Sequence, residues 1–248
     1  MWKLYDTLIE GIPDKLIVEY DAIGTHRSLI HSGNTGIATV INTNDQHQNT
    51  IASQKGRSLR EVAKLAKSWD FSEAALGMAA INAYYNSYKK LVTAKAHIWE
   101  SGSKKGDVFQ NFKSQIYGKK VAMIGHFEKA VNWMSSYCRL SVIEREPRDG
   151  DYPDSASEYL LPEQDFVFIT GMTFTNKTLP RLLSLSQNAY VILTGPSVPV
   201  TPILHQFGID CISGFCVRNK IDCLNYVKSN QFHDIYKSGS KVILYKYD

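Results

Sequence analysis

The spacing of apolar residues changes character about halfway along the chain. Tyr5, Leu8, Ile9 and Ile12 recur at helical intervals, and Gly11 with Pro13 marks the stop, so the chain is expected to open with a helix. Residues 16–23, 28–31 and 37–41 then read as strands. The segment 32–36, SGNTG, tolerates positive φ and predicts a hairpin between the last two. Ser58 with Glu61 has the form of a capping box ahead of Val62, Leu65, Ala66 and Trp69. Asp70 with Glu73 repeats it ahead of Leu76, Ala79, Ala80 and Ala83. The order α-β-β-β-α-α describes a small α+β unit.

Periodicity fades between residues 90 and 118, where 90–100 suits helix or strand and ESGSKKGD suits a connector. Short continuous apolar runs follow at 121–124, 140–143, 166–169 and 190–193. Most are separated by helix-compatible stretches at 127–138, 178–185 and 201–207. Strands buried on both faces and alternating with helices imply a mostly parallel, doubly wound sheet. A last run, KVILYKY, is expected to add an edge strand. The fold class is therefore α/β: a small α+β unit over 1–100, a linker over 101–118 and a Rossmann-like sheet over 119–248.

Composition narrows the partners more than the chemistry. Of 248 residues, 44% are hydrophobic and 21% charged, as in ordinary soluble domains. The net charge of +4 forms no basic stripe; Lys104-Lys105 and Lys119-Lys120 read as solvated positions, so neither nucleic acid nor an anionic membrane surface is an expected partner. No apolar run approaches the ~20 residues that span a bilayer. The first residues carry acids and lack the apolar core of a secretory signal. Cys138, Cys211, Cys216 and Cys223 are too few and too late for a disulfide framework. A reduced, cytoplasmic protein is expected.

In an open α/β sheet, ligands bind beyond the carboxyl ends of the strands. Here those ends are Gly125-His126-Phe127, Glu144, Thr170-Gly171-Met172-Thr173 and Thr194-Gly195-Pro196-Ser197, all expected on one rim. The third continues through Thr175, Asn176 and Thr178, polar but almost uncharged: either a cap for the next helix or the wall of a ligand site. A dinucleotide fingerprint is not met, because MIGHFEKA holds one glycine of three. Glu144 does lie about 20 residues further on, where an acid binds a ribose in such folds. His126 and Glu144 could give one nitrogen and one oxygen to a first-row transition metal. Spacing alone favours the plainer pairing, with His126 capping a helix or bonding a carboxylate and Glu144 meeting Arg145 or Arg148. His26 and His31 face opposite sides of a straight strand, and the cysteine spacings match no zinc motif. Ser197 lacks a nucleophile elbow. Asn82 and Asn86 share a helix face, suiting either a buried bond to backbone or a ligand contact. Asp151 and Glu158 flank a Tyr-Pro turn able to fold over the rim.

Taken together, MAAINAYYN (78–86), VAMIGHF (121–127), GDYPDSASEYLLPEQD (150–165), KTLPRLLSLSQNA (177–189) and LTGPSVP (193–199) resemble the heavy-metal chelation family, formerly a domain of unknown function. The similarity runs from MWKLYDTLIEGIP almost to the C-terminus. It implies a domain like the small cap of enolases, a Rossmann-like domain, an active-site cleft between them and a homodimer. Carried over, Asn82 faces the cleft from the cap. Gly125, His126, Phe127, Glu144, Thr170, Gly171, Thr173, Asn176, Thr178, Gly195, Pro196 and Ser197 line it from the sheet, with His126 and Glu144 as metal ligands or their supports. Enolase chemistry is not implied, since the magnesium-holding barrel is missing. The expected function is chelation or handling of a transition metal by a protein that binds a small polar ligand or a metal complex in the cleft between the domains. The alternative is an enzyme on a small anionic or nucleoside-like substrate, of nucleotide or S-adenosylmethionine type. There Glu144 binds a ribose or acts as a base, and the 195–197 turn holds a carboxylate or phosphate.

Overall fold

The computed structural model of the chain describes residues 2–41, 51–100, 102–229 and 235–247. Helix α1 (Lys3–Glu10) leads into an antiparallel sheet of β1 (Tyr20–Ile23), β2 (Arg27–Ser32) and β3 (Asn34–Thr39), in that order. The β2–β3 turn is tighter than 32–36 suggested. Ser32 pairs with Asn34 around Gly33 alone, and Thr35 and Gly36 continue the strand. Gly36 serves close approach instead of turning: a Cβ there would sit 2.0 Å from the Ala83 amide nitrogen and 2.2 Å from the Ala79 carbonyl. Those atoms belong to the Ala-rich helix α3 (Phe71–Tyr85), which lies directly on the small sheet.

The two capping boxes diverge. Asp70 accepts from the Ser72 and Glu73 amides at 2.8 and 3.0 Å and starts α3. Ser58 stands before α2 (Leu59–Ala63) without a side-chain cap, because its hydroxyl donates to the Asp14 carbonyl at 3.2 Å. A 3₁₀ turn extends α2 to Lys67, and Ser68 then becomes extended, so Trp69 falls beyond the helix and is exposed.

Helix α4 (Tyr88–Thr93) and strand β4 (His97–Trp99) lead to α5 (Val108–Asn111). This stretch is better packed than a solvated connector. Val108, Phe112 and Ile116 are buried against Met123 and Phe168, and β4 joins the large sheet. The chain continues through β5 (Lys120–Ile124), α6 (Glu128–Met134), β6 (Arg139–Glu144), β7 (Tyr152–Pro153), α7 (Ser157–Leu160) and β8 (Phe166–Thr170). It ends through α8 (Met172–Thr175), α9 (Leu179–Leu185), β9 (Tyr190–Thr194), β10 (Cys211–Val217), α10 (Lys220–Lys228) and β11 (Gly239–Tyr245). The sheet order is β4-β11-β10-β9-β8-β5-β6-β7. From β7 to β10 all neighbours are parallel; β11 and β4 run antiparallel. KVILYKY is thus an inner strand, paired with β10 and β4. Counting from β5, the parallel strands follow the order 3-2-1-4-5-6 of doubly wound nucleotide-binding folds. The protein is an α/β fold with a small antiparallel sheet and a larger, mostly parallel one.

Asn86, at the end of α3, ties the two sheets together. Its Nδ2 donates to the Val198 and Phe215 carbonyls at 2.9 and 3.2 Å, and its Oδ1 accepts from the Val200 amide at 2.7 Å. Tyr5 adds a bond from its hydroxyl to the Phe174 carbonyl at 2.7 Å.

Candidate functional site

The order 3-2-1-4-5-6 reverses between β5 and β8, and their carboxyl ends form the rim where such sheets take ligands. Ile124 pairs with Ile143 and Ile169, and Thr170 with Thr194, so the four strand ends lie in register. Gly125 leaves β5 with φ +98°, a region closed to most side chains, and a Cβ there would press on Thr170 at 3.1 Å. Gly195 makes the corresponding exit from β9 with φ +125°.

At this rim His126, Glu144 and Asp151 come together. Glu144 accepts from the His126 amide at 3.0 Å and the Arg145 amide at 2.7 Å, so its carboxylate holds the loop. The His126 Nδ1 lies 2.9 and 3.1 Å from the two Asp151 oxygens. Asp151 also accepts from the Arg148 amide at 3.1 Å, and its side chain is only 3% exposed. The imidazole is 13% exposed, and its Nε2 has no partner among the described residues. Of the two acids near the Tyr-Pro turn, Asp151 reaches the rim, whereas Glu158 pairs with Arg181. The Phe127 ring packs on Phe109, at 5.0 Å between centroids.

The polar run after β8 is spent largely on its own backbone. The Thr173 hydroxyl donates to the Thr170 carbonyl at 2.7 Å, and Asn176 Oδ1 accepts from the Thr178 amide and hydroxyl at 3.1 and 2.7 Å. Gly171 donates its amide to the Thr194 carbonyl at 2.8 Å. Lys177, buried at φ +67°, donates to the Thr175 carbonyl at 2.6 Å, and burial pushes its pKa down to about 8. Asn82 donates to the Ile37 carbonyl at 2.8 Å, while its Oδ1 and the Thr175 hydroxyl are buried without partners.

Ser197, two residues beyond Gly195, accepts from the Thr39 amide at 2.8 Å and donates to the Thr39 hydroxyl at 2.9 Å. That Thr39 oxygen also accepts from Arg27 at 2.8 Å. Sequence reading missed Arg27, because nothing in a lone arginine at a strand start points to a rim formed more than a hundred residues later.

The described residues form no cage for a bare metal ion. Among the described residues no three His, Cys, Asp or Glu side chains are grouped to hold one. Burial pushes the thiols of Cys138 and Cys216 up to about 11 and that of Cys223 up to about 12, away from the thiolate that metals require. A cavity of about 600 Å³ lies at the opposite, amino-terminal edge of the sheet, lined by Lys3, Leu183, Phe207, Asp210 and Lys246 among others. Its acid is already engaged, with Lys246 at 3.5 Å and the Val191 amide at 3.0 Å. Topology and the unspent imidazole outweigh volume, and the rim is the candidate site. No helix among the described residues is long and apolar enough to cross a membrane.

Comparison with known proteins agrees with this architecture. Two family models match, each described as "Putative heavy-metal chelation", over residues 5–85 and 107–246. An uncharacterized protein of Methanocaldococcus jannaschii is 32% identical over 202 residues, covering 79% of this chain and 74% of that protein. A crystal structure of a Desulfitobacterium hafniense protein of unknown function from the DUF364 family shares 37% identity with a TM-score of 0.89, over 99% of both chains. A Pyrococcus horikoshii member of the same family, 22% identical over 98% of both chains with a TM-score of 0.79, shares the fold. The matched models, the relative and the fold all point one way: this chain belongs to the family described as heavy-metal chelation.

Proposed function

We propose that the rim binds a transition metal as a complex that brings ligands of its own, with the His126 Nε2 filling one coordination position. The observation that carries this reading is the His126–Asp151 pair at the switch point. A histidine that binds metal characteristically gives its other ring nitrogen to a carboxylate, which fixes tautomer and orientation. Glu144 acts behind it, holding the loop through two amides, and the metal is cargo instead of a resident cofactor. The hydroxyls and amides of 170–178, with Gly195, Pro196 and Ser197, face the organic part. The reading includes a small lid of residues 1–100 over a sheet domain of 119–248, a cleft reached by Asn82, and a homodimer.

Calorimetric titration tests it, using Ni, Co, Zn, Fe and Cu ions both free and as nitrilotriacetate complexes. At least one complex is expected to bind wild type more tightly than the free ion. His126→Gln should abolish that binding, and Asp151→Asn should weaken it roughly 10–100-fold. Equal binding to wild type and His126→Gln would remove the assignment. The strand order favours a second reading, a nucleoside-like ligand or substrate, yet the carboxylate such folds offer to a ribose is here occupied by two amides. A melting shift with a nucleotide or S-adenosylmethionine, and none with metal complexes, would select it.

A further inference from the structure

Arg27 opens β2 opposite Thr39 and is partly buried. Its Nη1 donates to the Thr39 hydroxyl at 2.8 Å and to the His26 carbonyl at 3.2 Å. Both acceptors are neutral and both are served by one nitrogen. The Nε and Nη2 hydrogens have no partner among the described residues, and no carboxylate among those residues pairs with the guanidinium. Other arginines of the chain do have acids: Arg60 meets Asp14, Arg148 meets Glu128 and Arg181 meets Glu158. The surroundings desolvate Arg27 enough to lower its pKa, although a guanidinium keeps its charge at neutral pH. Withdrawing a cation from water without an opposite charge is costly, and a fold that needed only a strand tie could use a neutral side chain.

The guanidinium, which meets no acid among the described residues, is connected to the rim through Thr39. Thr39 Oγ1 is shared between Arg27 and Ser197, so the guanidinium stands two hydrogen bonds from the turn that leaves β9. Arginine presents a planar set of donors that matches the oxygens of a carboxylate or phosphate.

We propose that Arg27 is the anchor for an oxyanion, a carboxylate or phosphate, carried by the ligand that the rim accepts. This places the anionic end of the ligand at β2 and the β9 turn. It rests on the ligand reading of the rim only for what lies at the other end.

Metal-free, chelator-treated protein is titrated with inorganic phosphate and, separately, with malonate, each against chloride at constant ionic strength, with the melting temperature as readout. Wild type is expected to show a saturable rise with at least one oxyanion and none with chloride; the two arms separate phosphate from carboxylate. Arg27→Gln should weaken the response at least tenfold, and Arg27→Lys should retain part of it. Arg181→Gln, which removes an exposed arginine from another surface, should respond as wild type does. No saturable rise in wild type overturns the proposal, as does an undiminished response in Arg27→Gln. If Arg27→Gln does not fold, Arg27→Lys decides: affinity equal to wild type rejects the fork. Because these probes carry no metal, the metal-complex reading can fail while the oxyanion anchor stands, and the reverse.

Discussion

Asn86→Ala offers a direct test of how the rim is held against the small sheet. The side chain is 3% exposed and makes three bonds, to the Val198, Val200 and Phe215 backbones. Alanine would strand one buried amide and two buried carbonyls. Each buried group left unpaired costs about 1–3 kcal/mol, and water entering the vacated volume recovers part of it. The expected loss is about 3–5 kcal/mol, which for a chain of this length lowers the melting temperature by roughly 10 °C. Asn86→Asp keeps the acceptor for Val200 but turns lone pairs toward two carbonyls, so it should do no better. Urea unfolding followed by circular dichroism measures both variants. A loss below about 1 kcal/mol for Asn86→Ala would show that these bonds do not couple α3 to the β9 turn in the way their geometry requires.

Lys177→Gly should stabilise the protein at pH 7 by about 2 kcal/mol, since it removes both a left-handed non-glycine residue and a buried ammonium that meets no acid among the described residues. The unfolded chain keeps the lysine proton up to about 10.4 while the folded chain releases it near 8, so wild-type stability rises with pH between those values. The advantage of the glycine variant should therefore shrink from pH 8 to pH 10 in urea titrations; a constant gap would refute the charge argument. Gly36→Ala places a methyl group against α3 backbone that cannot swing aside, so a loss of about 3 kcal/mol or more is expected. Unfolding within 1 kcal/mol of wild type would mean that β3 and α3 separate more easily than their packing indicates.

What was legible in the sequence depended on whether one local signal decided the outcome. The runs at 121–124, 140–143, 166–169 and 190–193 became β5, β6, β8 and β9; in β5, β8 and β9 burial on both faces leaves no polar position inside the run, whereas β6, nearer the sheet edge, carries Ser141 and stays half-buried at Leu140. CISGFCV became β10 unannounced: its serine and glycine sit in a strand that is nearly all buried, so composition hid what position imposed. Ser58 and Asp70 carried the same capping signature, yet Ser58 is held by a bridge to Ile17 and turns its hydroxyl toward Asp14. His126 and Glu144 could be placed from strand ends alone. Asp151 could be placed only as part of a turn above the rim, since its distances to His126 depend on how that turn closes. Arg27 could not be placed, because its link to Ser197 passes through Thr39 on another strand.

The low charge of residues 170–178 is coherent with where the charges of the rim lie. A carboxylate at Thr170, which lies against Gly125, would add a second acid beside the loop that carries His126 and Asp151, and at an effective dielectric near 20 a charge pair is worth about 4 kcal/mol at 4 Å. Hydroxyls, an amide and the Lys177 ammonium, which donates to the Thr175 carbonyl, turn the chain from β8 into α9 without that second acid. Several of them are spent internally, so the ligand reading rests mainly on two ends, an oxyanion at Arg27 and a coordinated atom at the His126 Nε2. On that reading specificity comes from the separation of two ends more than from the wall, and a ligand lacking either end should bind as weakly as if its own residue had been removed.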